Sequence, residues 1–230
     1  VSGLRQLDEK ALASIDAGAF RSRRPFPWWG GPVLQEEAWQ ALREHLPDRE
    51  QLEAIFGKPR RHGQRSHDRY ALEYASDLPV HPLWHELVEE LTGPVYREFL
   101  VRRFRARRLR LRFHWHYTPR GSSVSPHCDA RRKLGSHILY FNDPGSWDPA
   151  WGGETWILDD GGRFDHRSSP DFDEFAAART SPAVGNQSLL FARRGNSWHG
   201  VRELRCPDDQ LRRVFIVVVE AGGGLRRWWR

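Results

Sequence analysis

The strongest constraint on the fold is a change of hydrophobic period near residue 107. Leu109, Leu111, Phe113, Trp115 and Tyr117 alternate with arginine or histidine residues, which is the two-residue period of a strand with one apolar face. Such a face must be buried against other elements, because a lone strand has no core of its own. The pattern therefore predicts that a sheet begins here.

The rest of the chain supplies partners for this strand. Short apolar segments recur and are separated by turn sequences rich in glycine, proline and asparagine. Many short strands of this kind favour an all-β sandwich or jelly roll over a βαβ arrangement. The further strands are predicted at residues 136–142, 154–158, 188–193, 199–204 and 211–220.

The first 106 residues have helical spacing instead. Apolar residues recur every three to four positions in segments 32–46, 83–91 and 95–104, and Asp48 is suited to cap a short helix that ends at residue 56. A sheet offers these helices the apolar surface that they need. We expect one domain over residues 1–230, which consists of a mainly helical buttress (1–106), a jelly-roll core (107–220) and a tail (221–230).

Two segments belong neither to the predicted helices nor to the predicted core strands. The polar segment 163–184 contains a helical stretch around residues 172–177, and it is expected to be an insertion between two strands that serves as a lid. The Arg/Trp-rich tail could contact a membrane surface or a partner protein, but packing or disorder of so short a segment is the favoured interpretation.

Composition limits the class of protein. The chain has 230 residues, 39% of them hydrophobic, and two cysteines, so it can bury one substantial core and has no disulfide scaffold. It lacks a secretory signal pattern and any apolar stretch near the roughly 18–20 residues that cross a bilayer, so we expect a cytoplasmic protein. Segment 102–112 holds seven arginines in eleven residues. Such a cluster can bind nucleic acid, but arginines paired with acidic residues on a solvated face are the favoured interpretation.

A metal site is predicted from three residues. His127 and Asp129 are two positions apart, so in a strand both side chains point to the same face. Imidazole with carboxylate suits Fe(II), Mn(II) or Co(II), and the absence of a thiolate set argues against structural zinc. His199 follows a turn that can bring it beside this pair. His114 and His116 are expected at the surface or behind the ligands.

An anion site is predicted near the metal. Arg213 lies in the apolar run 211–219, and a buried guanidinium is costly unless it meets an anion. Tyr140 offers a phenol on a neighbouring strand that can share a carboxylate with it. A diacid could be held at its far end by these groups and chelate the metal with its other end. Arg212 is the alternative anchor, because the parity of this strand near a bulge cannot be determined from sequence.

In residues 109–220 these motifs follow the order found in the Fe(II)/2-oxoglutarate-dependent oxygenases, and the chain resembles the prolyl 4-hydroxylase-like branch of that superfamily. The matching segments are 117–121, 126–129, 139–142, 151–155, 198–201 and 213–217. The resemblance implies a double-stranded β-helix of the cupin-like jelly-roll type buttressed by α-helices. It also implies Fe(II), 2-oxoglutarate as cosubstrate and ascorbate as a stimulant. The implied catalytic metal ligands are His127, Asp129 and His199, and the implied 2-oxoglutarate contacts are Arg213, Tyr140, Tyr117 and Thr155.

The resemblance further implies a dioxygenase that hydroxylates an unactivated C–H bond of a small molecule, amino acid or peptide, with succinate and CO2 as co-products. The carboxylate at Asp129 favours hydroxylation over halogenation, while desaturation and ring formation stay open. The loop 62–70, rich in His and Arg, either holds an acidic or polar substrate or is simply solvated. The alternatives are a nucleic-acid- or protein-modifying oxygenase and a non-catalytic metal-binding β-sandwich. The oligomeric state is not encoded in any pattern that we recognise.

Overall fold

The computed structural model describes residues 5–222, so the prediction for the Arg/Trp-rich end of the tail lies outside the described residues. The helices are α1 (Glu9–Ser14), α2 (Ala17–Ser22), α3 (Glu36–Glu44), α4 (Pro82–Thr92) and α5 (Pro94–Phe104). The strands are β1 (Trp28–Gly30), β2 (Glu53–Ile55), β3 (Arg69–Glu73), β4 (Leu109–Pro119), β5 (Val124–His127), β6 (Lys133–Tyr140), β7 (Thr155–Asp159), β8 (Ala177–Ser181), β9 (Ser188–Ala192), β10 (His199–Val201) and β11 (Leu211–Ala221).

These strands form two antiparallel sheets. The larger has the order β1-β9-β6-β11-β4-β3-β2 and the smaller has the order β5-β10-β7-β8. From β4 onward the chain crosses repeatedly between the sheets: β4, β6, β9 and β11 lie in the larger one, and β5, β7, β8 and β10 lie in the smaller one. Eight strands connected in this way are a jelly roll, which confirms the predicted fold class.

The larger sheet has two buried faces. One packs against the helices, where Trp84 of α4 lies 5.1 Å from Trp115 and 5.1 Å from Phe215 between ring centroids. The other face turns toward the smaller sheet, where Ile138 and Val214 belong to an apolar cluster with Ile157. The alternation in β4 therefore points its aromatic residues at the helices, and its histidines point the other way.

Two predictions for the first 106 residues are corrected. Three strands, β1, β2 and β3, extend the larger sheet beyond the jelly-roll core. The helix expected after Asp48 is only a 3-10 turn over Arg49–Gln51, and β2 follows it. One edge of β3 pairs with β4, and its other edge pairs with Glu53–Ile55. The pairing of Glu53–Ile55 with β3 overrides the local helical preference of this segment.

The segment 163–184 is not an insertion. It contains β8, which pairs with β7 in the register Thr155↔Ser181 and forms the edge of the smaller sheet. The helical stretch expected there is limited to a 3-10 turn at Phe172–Glu174. Exposed residues dominate β8, which is why its sequence lacks the apolar run of a core strand. Among residues 5–222, no helix has both the length and the hydrophobicity that crossing a membrane requires.

Candidate active site

Three side chains predicted as metal ligands meet between the two sheets. Pairing of β10 with β5 sets His199 opposite His127, and their ring centroids are 4.4 Å apart. Asp129 lies two residues beyond the end of β5. The ligand atoms of the three residues all lie within 4.8 Å of one another. Two imidazoles and one carboxylate at this spacing fit the donor set that non-haem Fe(II) uses when further positions stay open.

The tautomer of each imidazole is fixed by the backbone. Nδ1 of His127 lies 3.0 Å from the Ser125 carbonyl oxygen, and Nδ1 of His199 lies 3.0 Å from the Ser197 carbonyl oxygen. A carbonyl only accepts, so each Nδ1 carries the proton and donates it. Each Nε2 therefore keeps a lone pair for a metal ion, with the ring orientation held by the hydrogen bond on its other side.

The ligands also have protonation states that suit metal binding. Burial lowers the pKa of His127 well below its ordinary value and lowers that of His199 as well, so both rings are neutral near pH 7. Burial alone would raise the pKa of Asp129, but the Lys133 ammonium opposes this effect through its charge and its hydrogen bond, and the pKa is lowered. Lys133 Nζ donates to Asp129 Oδ1 at 2.7 Å, and Ser136 Oγ donates to Oδ2 at 3.2 Å. Neutral imidazoles and an ionised carboxylate are the forms that bind a metal.

These ligands line a cavity of about 480 Å³. That volume lies within the range of roughly 300–1,000 Å³ that is typical of small-molecule sites. Its apolar part is formed by Ile138, Phe191, Val201, Val214 and Ile216. A wall of this kind keeps bulk water away from a bound ligand and strengthens the electrostatic interactions inside.

Arg212, and not Arg213, lines the cavity. Arg213 pairs with Tyr117 across β11 and β4, and its guanidinium carbon lies 5.8 Å from that ring on the helix side of the sheet. Tyr117 is buried there and donates its hydroxyl hydrogen to the Pro47 carbonyl at 2.8 Å. The predicted contacts of Arg213 and Tyr117 with the cavity are therefore wrong. Both faces of β11 are buried, so apolar residues occupy successive positions of the strand and do not mark one face. The sequence therefore could not show which of the two arginines points into the cavity.

The other two predicted contacts do surround Arg212. Its Nη2 donates to Thr155 Oγ1 at 3.2 Å, its Nε donates to the Gly153 carbonyl, and its guanidinium carbon lies 5.5 Å from the Tyr140 ring centroid. Tyr140 donates its hydroxyl hydrogen to the same Thr155 Oγ1 at 2.8 Å. Thr155 lines the cavity, so its own hydroxyl hydrogen is left to donate toward a ligand.

The guanidinium of Arg212 is buried without a counter-ion. The residue is 5% exposed, and within residues 5–222 no carboxylate lies within ion-pair distance of it. Burial lowers the pKa of Arg212 from its ordinary value, which reflects the cost of leaving this charge out of water. An anion in the cavity would remove that cost.

The cavity also contains residues that sequence reasoning missed or placed elsewhere. His116 lines it from β4, Arg60 and His67 line it from the segment that joins β2 to β3, and Arg69 lines it from the start of β3. The only sequence signal for them was the concentration of His and Arg in the loop 62–70. Arg60 lies before that loop. His116 was expected at the surface or behind the ligands, because the strand alternation does not tell which face carries the site.

The fold is shared with solved structures of oxygenases. A prolyl-4-hydroxylase from Pseudomonas putida matches with a TM-score of 0.60 and 14% identity over 90% of this chain and 98% of that chain. A 2OG-Fe(II) oxygenase family oxidoreductase from Burkholderia pseudomallei matches with a TM-score of 0.60 and 17% identity over 97% of each chain. A prolyl hydroxylase from Trichoplax adhaerens, in complex with a hypoxia inducible factor peptide fragment, matches with a TM-score of 0.63 and 10% identity over 93% and 90%.

These matches establish the likeness of the fold. It is the fold of prolyl-hydroxylase-like 2-oxoglutarate-Fe(II) oxygenases, as the order of sequence motifs predicted. No protein-family model and no curated protein matches the chain. The activity must therefore be inferred from the side chains of the site.

Proposed function

We propose that this protein is an Fe(II)- and 2-oxoglutarate-dependent dioxygenase that hydroxylates an unactivated C–H bond of a small molecule, an amino acid or a peptide. The observation that carries the proposal is the pairing of two features in one cavity. His127, Asp129 and His199 converge at one wall, and Arg212, a buried guanidinium without a counter-ion, lies in the same cavity. A ligand that chelates a metal and ends in a carboxylate fits both features.

In this proposal His127, Asp129 and His199 hold Fe(II). When bound, the metal supplies the coupling of 2-oxoglutarate decarboxylation by dioxygen, which gives succinate and CO2, to hydroxylation of the substrate. The residues fit this metal because their two nitrogen donors and one oxygen donor lie within 4.8 Å of one another, and no thiolate belongs to the group. A structure of HygX from Streptomyces hygroscopicus with nickel and 2-oxoglutarate bound has the same fold, with a TM-score of 0.52 and 14% identity.

Arg212 is proposed to bind the distal carboxylate of 2-oxoglutarate. Gly153 and Thr155 use only some of its donors, which leaves Nη1 and part of Nη2 for a carboxylate. Tyr140 acts indirectly: by donating to Thr155 Oγ1 it orients that hydroxyl so that its hydrogen points away from the phenol. Thr155 then adds a second donor beside the guanidinium.

The chain's remaining contribution is to orient and isolate the reactants. Asp129 stays ionised through Lys133 and Ser136, so its carboxylate keeps a fixed orientation beside the imidazoles. Ile138, Phe191 and Val214 add apolar surface to the cavity that the triad and Arg212 share, and this surface would limit the access of water to the reactants. A dry and rigid site of this kind favours one oxidation over side reactions.

The volume of the cavity, about 480 Å³, supports a small substrate, and part of the arginine cluster is engaged within the protein. The arginine cluster 102–112 is divided: Arg102 pairs with Glu98, Arg112 pairs with Glu73 at 2.7 Å, and Arg103 is buried and donates to backbone carbonyls. These three arginines therefore do not form one continuous basic surface that would track a phosphate backbone. A non-catalytic metal-binding role would leave the buried charge of Arg212 without a purpose.

The proposal is tested by succinate release. The wild-type protein is incubated aerobically with Fe(II), ascorbate, 2-oxoglutarate and pooled candidate substrates, and the same assay is run on His127→Ala. His45→Ala is the matched control, because His45 is an exposed imidazole at the end of α3. We expect release from the wild type and from His45→Ala, and background from His127→Ala. Equal release from all three proteins would refute the assignment of the triad.

A further inference from the structure

The described side chains around the cavity are strongly unbalanced in charge. Asp129 is the only carboxylate among them, and the proposed function assigns it to the metal. The cationic side chains that line the same cavity are Lys58, Arg60, Arg69, Arg132, Lys133 and Arg212. Such an excess of cations in a partly dry space attracts anions.

Half of these cations are already neutralised by the protein. The ion pairs join Lys58 to Glu53 at 3.3 Å, Arg132 to Glu220 at 2.9 Å and Lys133 to Asp129 at 2.7 Å. Arg212 is accounted for by the distal carboxylate of 2-oxoglutarate. Arg60 and Arg69 then remain as cavity-lining guanidiniums with no carboxylate within ion-pair distance in the described part of the chain.

Arg60 and Arg69 also have buried donors without acceptors. Nη1 of Arg60 and Nε of Arg69 are both buried and have no hydrogen-bond partner. Arg69 does use Nη1, which donates to the His67 carbonyl at 2.8 Å. A buried donor that stays unpaired destabilises the protein, and more so when it is charged. A ligand that accepts from both groups would remove this destabilisation.

Two imidazoles stand beside these arginines. The rings of His67 and His116 lie 5.8 Å apart, edge to face, and both residues line the cavity. Burial lowers the pKa of both rings well below the ordinary value, so they are neutral near pH 7 and add hydrogen bonds without adding charge. These four side chains, Arg60, Arg69, His67 and His116, form what we call the cationic wall. It can recognise the shape of an anion as well as its charge.

Arg60 is also near the metal ligands. Its side chain lines the same cavity as His127, Asp129 and His199. The cationic wall and the triad thus belong to one continuous space. A molecule whose anionic group contacts Arg60 or Arg69 would therefore occupy the same cavity as the triad.

We propose that Arg60 and Arg69 bind the acidic group, a carboxylate or a phosphate, of a small primary substrate, and that this wall sets the substrate class. The inference rests on the proposed function, in which Arg212 already serves 2-oxoglutarate. It selects one of the two interpretations that the sequence left open for the loop 62–70, and it extends the site to Arg60 and His116.

The test is a binding measurement that does not depend on turnover. The protein is loaded with Fe(II) and 2-oxoglutarate without oxygen, and calorimetry measures Kd for small carboxylic acids and their primary amides, and for phosphate monoesters and their parent alcohols. The variants are Arg60→Gln, Arg69→Gln and Arg60→Lys. Arg110→Gln is the control, because Arg110 is exposed, lies outside the cavity lining and loses the same charge.

We expect at least one acid to bind at least about tenfold more tightly than its neutral counterpart. Arg60→Gln and Arg69→Gln should each weaken acid binding about tenfold or more, while Arg60→Lys keeps most of the preference and Arg110→Gln keeps all of it. The carboxylate and phosphate arms identify which group the wall takes. If no acid binds more tightly than its neutral counterpart, the inference is overturned.

Two further outcomes separate this inference from the proposed function. If Arg60→Gln and Arg69→Gln weaken 2-oxoglutarate binding as Arg212→Gln does, the wall belongs to the cosubstrate and the inference is wrong. If the wild type does not bind 2-oxoglutarate at all, the proposed function fails. The comparison of acids with amides in protein without 2-oxoglutarate then still decides whether the wall recognises anions.

Discussion

Replacing Arg212 with glutamine should weaken 2-oxoglutarate binding strongly, while the same change at Arg213 should not. Both arginines are adjacent in β11, but only Arg212 lines the cavity with Thr155, whereas Arg213 lies beside Tyr117 on the helix side. The pair therefore offers a control of identical chemistry one residue away.

The magnitude follows from the contacts of Arg212. A hydrogen bond to a charged group contributes about 1.5–3 kcal/mol. Nε and part of Nη2 are used by Gly153 and Thr155, so the donors left for a ligand can form an ion pair with one carboxylate. Losing that ion pair should raise Kd for 2-oxoglutarate roughly 10- to 150-fold, because each 1.36 kcal/mol is a factor of ten. Arg212→Lys keeps the charge but loses the planar fork, so an intermediate Kd is expected.

The assay is equilibrium dialysis of labelled 2-oxoglutarate against Fe(II)-loaded protein without oxygen. Thermal unfolding of each variant shows whether the fold is retained, since Arg212→Gln also leaves the Gly153 carbonyl without its donor. If Arg213→Gln raised Kd as much as Arg212→Gln, or if only Arg213→Gln raised it, the assignment of the anchor from strand parity would be refuted.

Three other predictions follow from single contacts. Fe(II) added without oxygen should raise the melting temperature of the wild type and not that of His127→Ala, and equal shifts would contradict the triad. Gly153→Ala should lower the free energy of unfolding, measured in urea, by roughly 1–3 kcal/mol, and it should also weaken 2-oxoglutarate binding. The reason is that φ of Gly153 is +101° and an added Cβ would lie 3.3 Å from Arg212 Cδ. Gly145→Ala, at an exposed turn, is the control and should change neither quantity. Burial lowers the pKa of His137 to about 3, so below pH 6.5 the unfolded chain takes up the proton first and the free energy of unfolding falls as pH drops toward 3. The slope from this group approaches about 1.4 kcal/mol per pH unit, and His137→Gln should flatten the measured curve; an unchanged slope would contradict its burial as the neutral form.

The fold was largely predictable from the sequence because the hydrophobic period of β4 is so regular. The strand candidates at residues 136–142, 154–158, 188–193 and 211–220 overlap β6, β7, β9 and β11. The strands that were missed are short or lie at edges. In β8 the residues are mostly exposed and in β1–β3 the strands have three to five residues, so neither shows an apolar alternation that could be distinguished from loop or helix.

The candidate site was likewise predictable only in part: the metal ligands could be named from the sequence, but the arginine that lines the cavity could not be chosen. His127, Asp129 and His199 could be proposed because their residue types and order are distinctive, and the pairing of β10 with β5 brings the two histidines together. The choice between Arg212 and Arg213 depended on which side of β11 faces the cavity. That side is set by the register of β11 with β4 and β6, which are non-local pairings that leave no trace in an apolar run.

For the cationic wall, the sequence left two interpretations of the loop 62–70 open, and only the sheet pairing places this part of the chain at the cavity. Arg60 and His67 lie in the connection between β2 and β3, and that connection covers the cavity only because β3 pairs with β4 and β2 pairs with β3. The metal ligands and Arg212 lie within the jelly roll itself. Substitutions in the connection should therefore change which acid binds while they leave Fe(II) and 2-oxoglutarate affinities intact, and substitutions among the jelly-roll ligands should do the reverse. Because β2 and β3 lie at the edge of the larger sheet, their connection can vary in length and charge without disturbing the strands that hold the metal, so substrate choice can change while the oxidative chemistry is kept.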